Sequence, residues 1–231
     1  MSKIRILAIP SDKHGVGKFR IMDPYKFIAE NYTDDIHVDI SYNAENRDEY
    51  FSNYDIVIFH TFIHQTTHEH NKQRIEWLRS KGIKVIMDID DLWFVDQRHP
   101  MYHTVKLSKI GEMKVDLLKS VDYVTTTTPI FAQTIKERLG LSNVMIFPNA
   151  VNEDEPQFKV EPTKSELTRF GWLGGSSHLQ DLKILDDLFQ RMEPYKDKTQ
   201  VYLCGFDVRG TVTEINSETK ETRELDSVFC H

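Results

Sequence analysis

Cysteine is nearly absent from this chain of 231 residues, which contains only Cys204 and Cys230. The first lies in an apolar run and the second is next to the last residue, so their placement argues against a disulfide framework. Long apolar runs are also missing, because none approaches the ~18 residues of a membrane-spanning helix. The opening stretch MSKIRILAIPSDKHG turns polar too soon for a secretory signal peptide. We therefore expect no transmembrane segment and a cytoplasmic location.

An excess of positive charge is the second feature that the sequence lacks. Its 29 Lys and Arg residues stand against 36 Asp and Glu residues, for a formal net charge of -7. This acidic balance argues against nucleic acid as a partner and against adhesion to anionic membranes. Hydrophobic residues make up 39% of the chain, which is enough for a buried core.

Short apolar runs alternate with helical patterns over residues 1–150. The runs are nearly continuous, as is typical of parallel strands that are covered on both faces. Thr128, Pro129 and Gly140 mark the cap, the first residue and the end of one helix. The predicted strands are Ile4–Ile9, His37–Tyr42, Asp55–His60, Lys84–Ile89, Tyr123–Thr128 and Val144–Pro148. This order predicts an α/β fold with a Rossmann-like, doubly wound parallel sheet.

The composition changes after residue 150. Residues 151–168 are polar and acidic, which predicts a linker between domains. Residues 169–231 begin with one β-α-β pattern and then become polar, with weak alternation in TVTEI that indicates an exposed hairpin or loop. A single β-α-β unit cannot bury both faces of its strands. We therefore expect a partial second domain, and self-association or a partner chain that completes it.

The stretch GWLGGSSH follows the first strand of this second domain. Backbone amides freed at a strand-to-helix turn bind anions, helped by the helix dipole. Gly174 and Gly175 would let a ligand approach the backbone, and the Ser176 and Ser177 hydroxyls would donate to it. An equally good alternative is that Ser177 caps the helix in a capping box. The pattern lacks both the dinucleotide fingerprint and the P-loop lysine, so it indicates neither site.

A second glycine-containing turn, SDKHGVGKFRIMDP, follows the first strand of the chain. Gly15 and Gly17 loosen the loop, and Lys18 and Arg20 place positive charge near a helix start. The alternative is that both basic residues are solvated surface charges.

Carboxylates and histidines cluster after other strands. Asp88, Asp90 and Asp91 would bind a metal, act as a base or accept hydrogen bonds from sugar hydroxyls, or else cap a helix. His60, His64 and His68 recur every fourth residue. That spacing aligns zinc ligands only on a continuous helix, whereas His60 ends a predicted strand, so we expect no metal. His60 and His64 are instead expected to form hydrogen bonds in a cleft.

Four passages together resemble a known family: GVGKFRIMDP, KVIMDIDDLW, VDYVTTTTPIFAQTIKERLGLSNVMIFPNAVN and RFGWLGGSSHLQDL. They are similar to GT-B glycosyltransferases of the retaining, family-four-like kind, including those of bacterial surface-polysaccharide clusters and phages. The resemblance covers most of residues 3–207. It implies two Rossmann-like domains, the first on the acceptor side and the second holding the donor.

The activity implied by this resemblance is a hexosyltransferase reaction that needs neither a metal nor a cofactor. A nucleotide sugar would be the donor, and a glycan, lipid or protein would be the acceptor. The residues expected at the donor diphosphate are Gly15, Gly17, Lys18, Arg20, Gly174, Gly175, Ser176 and Ser177. The residues expected to be catalytic are His60, Asp90 and Asp91, and further cleft residues are His64, Thr127, Asn149 and His178.

One departure from the family leaves an alternative open. The family's Glu-x7-Glu segment has no counterpart here, since Glu214, Glu218 and Glu221 have the wrong spacing. The chain is therefore expected to be a truncated or split enzyme with uncertain activity of its own. The alternative is a non-catalytic glycan- or protein-binding or assembly module that retains the fold.

Overall fold

The computed structural model describes residues 3–99, 101–159, 161, 163–174, 178–185, 187–204, 211–215 and 222–226. The chain divides into two compact units. Unit 1 contains Met1–Phe94 and Lys109–Lys159, and unit 2 contains Val95–Ser108 and Val160–His231. The predicted domain boundaries at residues 150 and 168 stay a prediction.

Unit 1 is built on a six-stranded parallel sheet with the strand order β2-β1-β3-β4-β5-β6. Its strands are β1 (Ile4–Ile9), β2 (Ile36–Ile40), β3 (Ile56–His60), β4 (Lys84–Ile89), β5 (Tyr123–Thr126) and β6 (Val144–Ile146). Ile6 lies opposite Ile56 on the neighbouring strand, and Ile58 lies opposite Ile86. The prediction of an α/β fold with a Rossmann-like parallel sheet is confirmed.

Helix α7 (Pro129–Leu139) begins and ends at residues that suit those positions. Helix α7 starts where the Thr128 hydroxyl accepts a hydrogen bond from the Phe131 amide at 3.1 Å, and it ends at Gly140 with a φ of 69°. The helices are α1 (Gly15–Gly17), α2 (Asp23–Asn31), α3 (Asp48–Phe51), α4 (His68–Ser80), α5 (Tyr102–Leu107), α6 (Ile110–Ser120), α7 (Pro129–Leu139), α8 (Leu179–Leu182) and α9 (Leu188–Met192). A π-helical segment, Lys18–Met22, joins α1 to α2. None of the helices in the described residues is long and apolar enough to cross a membrane.

Apolar side chains cover both faces of the sheet in unit 1. Successive strand residues point to opposite faces, so Phe59 and Met87 belong to the larger cluster while Ile58 belongs to the smaller one. Buried residues of α4, α6 and α7 pack into the larger cluster. Ile21 of the π-helical segment packs into the smaller cluster. The near-continuous apolar strands therefore lie between two covered faces.

The described residues of unit 2 contain two pairs of strands. The strands β7 (Thr168–Leu173) and β8 (Thr199–Cys204) pair in parallel, and β9 (Thr211–Ile215) pairs antiparallel with β10 (Thr222–Asp226). The expected single helix between β7 and β8 is divided into α8, α9 and short 3-10 turns at Lys183–Leu185 and Glu193–Tyr195. The antiparallel pair lies where the TVTEI pattern predicted a hairpin or loop.

Candidate functional site

The candidate site lies at the carboxyl edge of the sheet in unit 1. The strand order reverses between β1 and β3, and doubly wound sheets bind ligands outside the carboxyl ends of their strands at such a point. Ser11 and Asp12 follow β1, His60 ends β3 and Asp90 follows β4. We call Ser11, Asp12, His60, Thr61 and Asp90 the edge site.

His60 is the centre of the edge site. Its Nε2 lies 2.9 Å from Asp90 Oδ1, and its Nδ1 lies 2.8 Å from Ser11 Oγ. Only 8% of His60 is exposed. Burial raises the pKa of the Asp90 carboxyl, but the hydrogen bond and the charge of His60 outweigh this and leave the pKa below its usual value. Asp90 is therefore an ionised partner that fixes the orientation of the imidazole ring.

The backbone beside His60 is strained. Thr61 has a φ of 71°, which is a genuine outlier for a β-branched side chain. Its hydroxyl oxygen lies 3.1 Å from His60 Nδ1. Backbone strain of this kind costs on the order of 1–3 kcal/mol and clusters at functional sites. The strain supports a functional role for the edge site.

A buried side chain holds the loop that carries this strain. Asn71 of α4 is 2% exposed, and its Oδ1 accepts hydrogen bonds from the Ile63 and His64 amides at 2.9 Å each. Its Nδ2 donates to the carbonyl oxygens of His64 and Thr67 at 3.0 Å each. Asn71 therefore fixes the loop after β3 to helix α4, which packs into the larger apolar cluster.

Asp12 organises the loop after β1. Its carboxylate accepts hydrogen bonds from the His14 amide at 2.9 Å, the Gly17 amide at 3.0 Å and the Ser11 hydroxyl at 3.0 Å. Burial raises the pKa of this carboxyl, but these bonds outweigh it, so the pKa lies below its usual value. A Cβ atom on Gly17 would collide with the Asp12 backbone. The contact of Gly15 and Gly17 with a diphosphate stays a prediction, and the Gly17 amide already has an anionic partner in Asp12.

Arg20 is fully engaged inside unit 1. It is 2% exposed, and its Nε and Nη2 donate to the two Asp88 oxygens at 2.9 and 2.6 Å. Its Nη1 donates to Asn149 Oδ1 at 3.0 Å and to the Phe147 carbonyl. Thr125 Oγ1 also donates to Asp88, at 2.6 Å. We call Arg20 and Asp88 the buried pair; this geometry favours a structural role for Arg20 over contact with a ligand.

Lys18 is likewise neutralised by the protein itself. Its Nζ lies 2.6 Å from Asp23 and also contacts Glu155. Hydrogen bonds to Asp23 and then to Glu155 raise the pKa of the lysine. Its role in diphosphate binding stays a prediction.

The remaining predicted residues of unit 1 lie at different depths. Asp91 is exposed, and Thr127, directly after β5, is partly buried. Neither Asp90 nor Asp91 caps a helix, since the next described helix begins at Tyr102. His64 is partly buried edge-on against Phe51, and burial lowers its pKa to about 4.

Less of the predicted site in unit 2 is described. Gly174 follows β7, and its amide donates to the Cys204 carbonyl at 3.0 Å. A Cβ atom on Gly174 would meet the Trp172 ring. His178 is exposed, with its Nδ1 2.8 Å from Asp181 Oδ2. The predictions for Gly175, Ser176 and Ser177 lie outside the described residues.

Sequence reasoning missed Ser11, Asp12 and Thr61. A polar Ser-Asp pair directly after a buried strand was the available signal for the first two, because the carboxyl ends of parallel strands share one edge. Thr61 gave no signal, since a positive φ at a threonine has no sequence pattern.

The fold and the edge site define a Rossmann-like α/β protein with a polar centre at the point where its strand order reverses. Within the described residues, no group of three or more His, Cys, Asp or Glu residues could hold a metal ion. No protein-family model matches the chain, and no curated protein matches it.

Proposed function

We propose that the protein is a glycosyltransferase of the GT-B type, which transfers a sugar from a nucleotide sugar to a hydroxyl group of an acceptor. The resemblance of the four sequence passages supports this proposal, as does the polar centre at the carboxyl edge of a parallel sheet. The main observation in its favour concerns His60. This residue is buried, at 8% exposure, and its Nε2 lies 2.9 Å from Asp90 Oδ1.

The edge site has the chemistry that an acceptor hydroxyl needs. The lowered pKa values of Asp12 and Asp90 keep both carboxylates ionised at neutral pH, where they accept hydrogen bonds from sugar hydroxyls. An acceptor hydroxyl that replaces Ser11 at His60 Nδ1 gives its proton to that nitrogen. Its oxygen forms a bond to the anomeric carbon of the donor sugar on the face from which the diphosphate departs, as retention requires, while the bond from that carbon to the diphosphate breaks. The diphosphate leaves with the electron pair.

The donor diphosphate is proposed to bind in unit 2, at the stretch GWLGGSSH that the resemblance implies. The basic residues after β1, which the resemblance implies at the same diphosphate, already have carboxylate partners, since Lys18 is paired with Asp23 and Glu155 and Arg20 is paired with Asp88. This assignment, like the retaining stereochemistry, rests on the resemblance.

The test is to incubate the full chain with a panel of nucleotide sugars and simple glycosides. We expect release of nucleoside diphosphate that an acceptor glycoside accelerates. A general base typically contributes about 10²–10⁴-fold to the rate, so His60→Ala should lower turnover by that factor. Donor binding, followed by calorimetry, should be unchanged in this variant, because the donor is assigned to unit 2.

The matched control is His37→Ala. His37 also pairs with an aspartate, at 3.2 Å, but its side chain is 49% exposed and lies on β2. It should leave turnover unchanged. Nucleotide-sugar or glycan binding without any transfer would favour the non-catalytic binding module. The absence of binding to every nucleotide sugar would overturn the proposal.

A further inference from the structure

Ser11, His60 and Asp90 lie in a row across three adjacent strands of unit 1, in the order β1-β3-β4. The Ser11 hydroxyl oxygen is 2.8 Å from one ring nitrogen of His60, and the Asp90 carboxylate is 2.9 Å from the other. A nucleophile that hydrogen-bonds to a base, with the base oriented by a carboxylate, is the arrangement that activates a serine for acyl transfer. The sequence gives no sign of it, because the residues are separated along the chain.

Ser11 is the member of this row that can face a substrate. Both ring nitrogens of His60 have protein partners and the residue is 8% exposed, while Asp90 contacts the ring from the side of β4. Ser11 lies in the loop after β1, outside the sheet, and is only partly buried. We propose that Ser11 is the nucleophile of a Ser11–His60–Asp90 triad that cleaves carboxylic esters, an activity separate from sugar transfer.

The reaction balances without a cofactor. Ser11 Oγ attacks the carbonyl carbon of the ester, and its proton passes to His60 Nδ1. The bond from that carbon to the alkoxy oxygen breaks, and the alcohol leaves with the proton from His60. Water then attacks the acyl carbon and gives a proton to His60. The bond from that carbon to Ser11 Oγ breaks, the acid is released, and the proton passes from His60 to Ser11 Oγ. Asp90 remains ionised and accepts a hydrogen bond from the Nε2–H group of His60 throughout.

Asp12 is a competing partner for the same hydroxyl. Its Oδ2 lies 3.0 Å from Ser11 Oγ, so the serine proton has two acceptors, Asp12 and His60. The Asp12 carboxylate is already held by the His14 and Gly17 amides, at 2.9 and 3.0 Å. We therefore assign Asp12 to holding the loop and His60 to activating the serine. Separate substitutions of Asp12 and His60 distinguish these two roles.

The experiment uses a fluorophosphonate probe, which labels activated serines, and p-nitrophenyl acetate as the ester. In the full chain we expect the probe on the peptide that contains Ser11, located by mass spectrometry. Ser11→Ala should abolish both labelling and ester hydrolysis. His60→Gln should slow labelling by about 10²-fold or more, the usual contribution of a general base. Asp12→Asn should retain labelling of Ser11.

The matched control is Ser52→Ala, since Ser52 is exposed and its hydroxyl donates to the Asp48 carbonyl at 2.8 Å. It should change neither readout. Thermal unfolding of each variant establishes that it is folded. The proposal is overturned if the folded wild-type chain is unlabelled, or if the label lies elsewhere. It is also overturned if Asp12→Asn removes labelling while His60→Gln retains it. Both proposals use His60 as the base, but neither readout here requires a nucleotide sugar, so failure of this test is distinguishable from failure of the test of sugar transfer.

Discussion

The buried pair of Arg20 and Asp88 gives the sharpest stability prediction. Both side chains are almost fully buried, at 2% and 1% exposure, and their closest N–O distance is 2.6 Å. Asp88→Asn keeps the shape of the side chain but removes its charge, and thus leaves a guanidinium buried without its counterion. Removing one partner of a buried ion pair costs about 3–5 kcal/mol. The remaining Arg20 contacts, with the Phe147 carbonyl and Asn149, do not supply a negative charge.

The expected loss is therefore about 4 kcal/mol, a large share of the roughly 5–15 kcal/mol that stabilises a typical domain. At about 2–4 °C per kcal/mol for a domain near this size, Tm should fall by roughly 8–16 °C. Urea unfolding followed by circular dichroism measures the free energy of unfolding directly. Its midpoint should fall while the slope stays the same.

Two further variants test the reasoning behind that number. Asp187→Asn removes one partner of an exposed pair, Arg191–Asp187, whose side chains are 77% and 51% exposed, and should cost less than about 1 kcal/mol. Arg20→Met combined with Asp88→Leu removes both buried charges and should be more stable than Asp88→Asn alone. A change below about 1 kcal/mol for Asp88→Asn would refute the argument that the pair is desolvated.

Two other predictions concern unit 1. Because burial holds the pKa of His64 at about 4 against an ordinary 6.5, the unfolded chain takes up this proton first as the pH falls. The free energy of unfolding should therefore decline by about 1–3 kcal/mol as the pH falls from 6.5 to 4. The decline should be less steep in His64→Gln, and urea midpoints measured across that pH range test this. Gly17→Ala should lower stability by about 1–3 kcal/mol in the same assay, because its Cβ meets the Asp12 backbone. Gly15→Ala, with ordinary contact at 3.8 Å, should change it by less than about 1 kcal/mol; equal effects of the two alanines would contradict the proposed clash.

Much of the sheet in unit 1 could be predicted because its strands are short apolar runs. The bounds predicted for β1 and β4 match the structure. The prediction for β5 ran too far, to Thr128, because a run of threonines suits a strand. In the structure the strand ends at Thr126, and the Thr128 hydroxyl caps α7, which confirms the prediction of Thr128 as a helix cap. Local patterns therefore located the strands, and the competition between a strand and a cap decided where one of them ended.

The edge site could be predicted only in part. His60 and Asp90 stand at strand ends, where polar residues after apolar runs are visible in the sequence. Asp23 is only 5 residues from Lys18, but the other partner of Lys18, Glu155, and the partner of Arg20, Asp88, lie 137 and 68 residues further along the chain and were not visible. A basic residue near a helix start has the same local pattern whether it faces a ligand or a distant carboxylate. Only the folded topology decides between these possibilities.

The hydrogen bonds of Arg20 also set an order of events during synthesis. Its partner Asp88 leaves the ribosome 68 residues after Arg20, and the Phe147 carbonyl leaves 127 residues after it. Contacts so distant along the chain form late, because the intervening loop must close first. In a nascent chain that ends before Phe147, the Arg20 guanidinium has only some of its hydrogen-bond partners. The interior of unit 1 is therefore complete only after β6 has emerged.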